Sequence, residues 1–137
     1  MAGAVLLACV MGGVATLVAA DLTIEEASLS FDPNSSRWFV SSKVCNNNTS
    51  GYSGSLLYEL RLLSGDRYWS IGSTKSPKNL NFNACRTLED LLIKVNTNVP
   101  RGTYRIQLTV SEYNGESYVI RDRTTFNKTF IRGGGQP

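Results

Sequence analysis

Beyond residue 20, apolar and polar residues alternate along most of the chain with a period of two. The clearest run is Thr103–Val110. Tyr104, Ile106, Leu108 and Val110 fall on one side of it, and Thr103, Arg105, Gln107 and Thr109 on the other. A stripe of this kind gives a strand one face for a core and one for water. Val99-Pro100-Arg101-Gly102 reads as a turn before the run. Asn114-Gly115 follows it as a tight hairpin signal, with Ser117–Ile120 as the second arm.

The rest of the chain repeats the theme. Leu22-Thr23-Ile24 opens a first strand, and Ala27, Leu29 and Phe31 continue it in the opposite phase. The slip at Glu25-Glu26 predicts a bulge, or an edge strand that changes sheets. Asp32–Ser36 is a turn by composition. Arg37–Cys45 is a strand with Trp38, Val40 and Val44 on one face and Phe39, Ser41, Lys43 and Cys45 on the other; Trp38 is expected in the core. Asn46–Gly54 is a polar loop. Ser55–Leu63 carries the stripe Leu56, Tyr58, Leu60, Leu62 with Glu59 and Arg61 facing out. Ser64-Gly65-Asp66 turns the chain into Arg67–Ser73, and Lys75–Asn79 is a loop containing Pro77.

Thr87–Val95 fits two periods. Leu88, Leu91, Leu92 and Val95 have helical spacing, while Leu91, Ile93 and Val95 alternate. The segment is short and lies among strands, so it is read as a strand. Arg123–Ile131 is a last strand with Phe126 and Phe130 in phase. Seven or eight short strands with regular turn signals predict an all-β protein. The expected architecture is an immunoglobulin-like antiparallel β-sandwich over residues 21–132, with Greek-key connections. Residues 133–137 form a glycine-rich tail.

Residues 1–20 carry no charge and are rich in Ala, Val, Leu and Gly. Val18-Ala19-Ala20 before the polar Asp21 fits signal-peptidase cleavage after Ala20. Two other readings stand beside it: an uncleaved membrane span, and a retained hydrophobic arm of a pilin-like filament subunit. No Lys or Arg precedes the apolar run, and only eight residues precede Cys9, too few for a lipoprotein signal. The 14 basic and 11 acidic residues all follow residue 20, giving a scattered net charge of +3. That balance describes a mixed solvated surface rather than a nucleic-acid footprint.

Cys45 and Cys85 form an even pair beyond residue 20, and in an exported chain such a pair reads as a disulfide. A metal pair and a reactive thiol are the competing readings. A closed zinc site lacks its usual ligands, since the chain has no histidine. The same lack excludes Ser-His-Asp and Cys-His nucleophiles. Glu25-Glu26 and Glu89-Asp90 are adjacent acids, which a strand points to opposite faces, so they make poor acid/base pairs. Gly133–Gly135 is not a phosphate loop, because no strand and helix flank it. Neither an enzyme nor a cofactor is expected.

The order of short motifs resembles a known family. Asp21-Leu22-Thr23-Ile24 opens the domain, and Val44-Cys45-Asn46 runs into a small-polar loop. Leu57-Tyr58 lies in a central strand, Ile71-Gly72-Ser73 follows, and then comes Val99-Pro100-Arg101-Gly102-Thr103-Tyr104-Arg105-Ile106. The sequence resembles the CARDB-like group of immunoglobulin-like modules, adhesion-related domains of bacterial and archaeal surface proteins. The resemblance covers nearly all of the chain after residue 20. It implies a seven-stranded sandwich, extracellular use and no catalysis. The family pattern often has an acidic residue and paired asparagines after the last hairpin; Asp122 and Asn127 stand there without the pair. The two cysteines are not part of the general pattern.

Four Asn-x-Ser/Thr triplets, at Asn34, Asn47, Asn48 and Asn127, are glycosylation candidates if the source glycosylates exported proteins. Tyr68, Trp69, Tyr52 and Tyr113 are candidate stacking residues for a sugar or another surface. Tyr68 and Trp69 alternate, so one of them must face away from the core. The functional expectation is a secreted or cell-surface structural or adhesive module. Its expected partners are other surface proteins, or itself through sheet edges. A filament subunit and a small carbohydrate-binding module are the alternatives, and a membrane is involved only if residues 1–20 are retained.

Overall fold

The computed structural model describes residues 19–32, 34, 37–76, 79–94 and 99–133, with backbone alone over 90–94. The hydrophobic segment up to Val18 with its Cys9, Pro77, Val95 and the tail beyond Gly133 lie outside the described residues. Seven strands form: β1 (Leu22–Asp32), β2 (Arg37–Asn46), β3 (Leu56–Ser64), β4 (Arg67–Ser76), β5 (Cys85–Lys94), β6 (Gly102–Tyr113) and β7 (Tyr118–Arg132). They make two antiparallel sheets, ordered β1-β2-β5 and β4-β3-β6-β7. This is the predicted sandwich. The segment with two possible periods is strand β5. The last two predicted strands are one, because β7 is a single continuous strand from Tyr118 to Arg132.

The alternating stripes meet between the sheets. Leu56, Tyr58, Leu60 and Leu62 of β3 and Tyr104, Ile106, Leu108 and Val110 of β6 are all buried. They face Leu22, Leu29, Trp38, Val40 and Val44 of the smaller sheet. Trp38 takes its predicted core place, with Phe31 at 4.8 Å and Phe130 at 5.7 Å between ring centroids. The Tyr104 hydroxyl donates to the Pro100 carbonyl just upstream. A tyrosine near the start of this strand, bonded back to the approaching chain, is a corner brace of immunoglobulin-like sandwiches.

Turn chemistry follows the sequence at one hairpin and departs from it at another. Ser64 pairs with Arg67 across the two residues Gly65-Asp66, and Gly65 has φ 60°, as a primed turn opening on glycine needs. The Asn114-Gly115 signal predicts an equally tight turn, but Tyr113 pairs with Tyr118 and leaves a four-residue loop. Asn114 accounts for the difference. Its Oδ1 accepts the N–H groups of both Glu116 and Ser117 at 2.9 Å, so a side chain organises the loop instead of the ladder.

Every strand at a sheet edge is bulged. In β1 the extra residue is Glu25, at the predicted phase slip. In β4 it is Ile71. In β5, two residues stand against Ser41 of β2. In β7, Arg121 is one extra residue, and Phe126-Asn127-Lys128 stand against Ile106 alone. Bulges redirect side chains and interrupt the edge ladder. In β7 they turn Asp122 toward β1, where its Oδ2 accepts the Ile24 N–H at 2.7 Å, and bring Lys128 Nζ to 2.6 Å from the Leu29 carbonyl. These contacts set β1 and β7 side by side, running in the same direction.

Candidate binding surface

One end of the sandwich gathers the start of β1, the loop 47–55, the loop 79–84 and the β6–β7 hairpin. Its backbone is braced by buried polar side chains. Asn46 closes β2 on the core side: its Nδ2 donates to the Leu80 carbonyl at 2.9 Å and its Oδ1 accepts the Asn48 N–H at 3.0 Å. Ser53 adds a second tie, accepting the Leu80 N–H at its Oγ while its own N–H donates to the Leu80 carbonyl, both at 2.9 Å. Tyr52 bridges Asn81, and the Phe82 N–H reaches the Gly51 carbonyl at 2.7 Å. A buried polar group held by such partners fixes the local backbone, since leaving it unpaired would be costly.

Glu112 braces the same end from the other sheet. Its Oε2 accepts the Gly54 N–H at 2.7 Å. Its Oε1 accepts the Ala20 N–H at 3.1 Å and Nε of Arg121 at 2.9 Å. Arg121 reaches inward because the β7 bulge turns it there. Gly54 passes so close to β6 that a Cβ on it would lie 2.0 Å from the Tyr113 carbonyl oxygen.

On this frame stand exposed rings. Tyr52 is 67% exposed, Phe82 41% and Tyr113 39%. Tyr113 packs against Tyr118 with centroids 5.3 Å apart, and Lys75 Nζ lies 5.4 Å from the Tyr118 ring. Of the stacking candidates, the fold therefore brings Tyr52 and Tyr113 to the same end. Tyr68 is the outward member of its pair, 52% exposed and covered by the Arg61 guanidinium at 3.9 Å, but it stands toward the opposite end. Trp69 turns inward, edge-on to Tyr104 at 5.3 Å, which removes it from the exposed set. Phe82 and Glu112 were not singled out by the sequence reading.

The two cysteines are joined, with S–S 2.03 Å and Cα–Cα 4.0 Å. They are directly opposed in the β2–β5 ladder, on the phase of Phe39, Ser41 and Lys43, away from the core stripe. The bond thus ties neighbours within one sheet; Cys45 is buried and Cys85 exposed. Nearby on this outer face is a hollow of about 340 Å³, lined by residues that include Glu26, Ser28, Lys43, Thr87 and Glu89. Its lining holds no aromatic ring. Among the described residues, no group of three or more His, Cys, Asp or Glu is placed to hold a metal ion.

The four triplet asparagines differ in surroundings. Asn34 is exposed at the β1–β2 turn and Asn127 on the bulged edge of β7. Asn47 and Asn48 have amide groups engaged: Asn47 Nδ2 donates to Thr23 Oγ1 at 3.0 Å, and Asn48 Nδ2 to the Ala19 carbonyl at 3.3 Å. No family model matches the chain, and no curated protein matches it either.

Proposed function

We propose that this protein is an exported, non-catalytic binding module with a structural or adhesive role at the cell surface. It would contact another surface protein through the loop end that carries Tyr52, Phe82 and Tyr113. The supporting observation is the placement of exposed rings on loops braced by buried Asn46 and Glu112. A rigid aromatic surface binds without a large ordering cost, and loops at the end of a sandwich are common recognition sites. The disulfide agrees with an oxidising compartment. The CARDB-like resemblance points the same way.

The bulges argue against association through sheet edges, because each edge presents an interrupted ladder to a would-be added strand. The reading is tested by coating surfaces with the protein and measuring attachment of its source cells. Wild type should retain cells and Tyr52→Ser/Phe82→Ser should not, with unchanged thermal unfolding. Equal attachment, or none to wild type, rejects it. A glycan array run with the same pair separates a sugar partner from a protein one.

A further inference from the structure

The fold takes hold of the chain one residue before the boundary that the sequence suggests. Ala20 is only 4% exposed and belongs to the core cluster, whereas Ala19 is exposed. The Ala20 N–H is received by Glu112, itself 2% exposed, whose carboxylate also holds Gly54 and Arg121. Asn48 grips the same stretch from the other side, accepting the Asp21 N–H at 3.0 Å and donating to the Ala19 carbonyl at 3.3 Å. A chain that began at Asp21 would lose a buried methyl group and one of the three donors on a buried carboxylate.

We propose that processing on export cuts the chain on the amino side of Ala20, so that the mature protein keeps Ala20 on Glu112. This inference rests on the exported reading above. Within residues 14–20, two bonds place alanine immediately before the cut. Ala15–Thr16 has Gly13 two residues further back and so meets both small-residue positions, while Ala19–Ala20 has Leu17 in that place. The step is hydrolysis of one peptide bond. Water supplies the hydroxyl to the carbonyl carbon of the released segment and a proton to the nitrogen of the retained chain.

The test is production of the full chain in a secreting host, with N-terminal sequencing and intact mass of the product. A first residue of Thr16 or Ala20 is expected. A first residue of Asp21 overturns the proposal and leaves the exported reading standing. An uncut chain retained in the cell overturns the exported reading, and the cut with it. A second measurement exposes the secreted protein to an aminopeptidase. Trimming should halt at Ala20 in wild type and proceed about tenfold faster through it in Asn48→Ala, the scale of one lost hydrogen bond. Free trimming past Ala20 in wild type also overturns the proposal.

Discussion

Replacing Tyr58 by phenylalanine should stabilise this protein. The ring lies near the start of β3 with no exposed surface, and its hydroxyl has no hydrogen-bond partner among the described residues. Phenylalanine keeps every carbon contact and removes only the stranded oxygen. An unpaired buried hydroxyl costs about 1–3 kcal/mol in proteins, and the small gap left behind returns part of that. The expected gain is about 1 kcal/mol, or roughly 4 °C in unfolding midpoint for a domain of this size. Urea titration followed by the fluorescence of Trp38 and Trp69 measures it directly. The pH dependence supplies a second readout. Burial pushes the Tyr58 phenol above its ordinary value of 10.0, with the Arg86 charge partly offsetting the rise. The native state therefore holds this proton more tightly than the unfolded chain does. That contribution is complete below pH 10.0 and is lost as pH climbs through the native value, so stability falls on the alkaline side. Tyr58→Phe should remove this part of the alkaline decline. A variant less stable than wild type by 1 kcal/mol or more, or one with the same alkaline slope, refutes the reasoning.

Glu112→Ala strands Arg121 and the N–H groups of Gly54 and Ala20, and should cost about 3–5 kcal/mol in urea titration; a loss under about 1 kcal/mol contradicts the brace. Gly54→Ala should lower the thermal midpoint, since the new methyl meets the Tyr113 carbonyl oxygen rather than a side chain that can turn away. Its expected cost is about 1–3 kcal/mol, and an unchanged midpoint counts against it. Dithiothreitol should reduce Cys45–Cys85 in the folded protein, because Cys85 is exposed, and should lower stability by at most about 4 kcal/mol. A bond that opens only on unfolding, as followed by thiol alkylation and mass spectrometry, goes against that picture.

The strands were legible because each core stripe repeats every second residue, as in Leu56–Leu62 and Tyr104–Val110. The β1 bulge was legible for the same reason: an extra residue inverts the phase, and Ile24 and Leu29 fall on opposite parities. The bulge at Arg121 left no such trace, since only polar residues follow it as far as Thr125 and no apolar stripe runs across it to be broken. The brace at Glu112 had a signal that went unread. Glu112 follows Leu108 and Val110 in the inward phase, and an acid on a core phase needs donors from elsewhere. Nothing local announces those donors, which come from Ala20, Gly54 and the bulged Arg121. Phe82 was hidden differently, because its exposure depends on the backbone pairing between residues 51–53 and 80–82. Tyr68 and Trp69 were a choice of parity, and the adjacent register on β3 settles it: Trp69 stands against inward Leu62.

The side-by-side course of β1 and β7 decides how the domain carries mechanical load. The chain enters β1 at one end of the sandwich and leaves β7 at the other, so tension between them slides the two strands past each other lengthwise. The contacts from Asp122 to Ile24 and from Lys128 to Leu29 must then break together rather than in turn. Once they fail, the cysteine bridge keeps a span of 40 residues out of the extending thread, about 140 Å of contour that stays coiled until the sulfurs part.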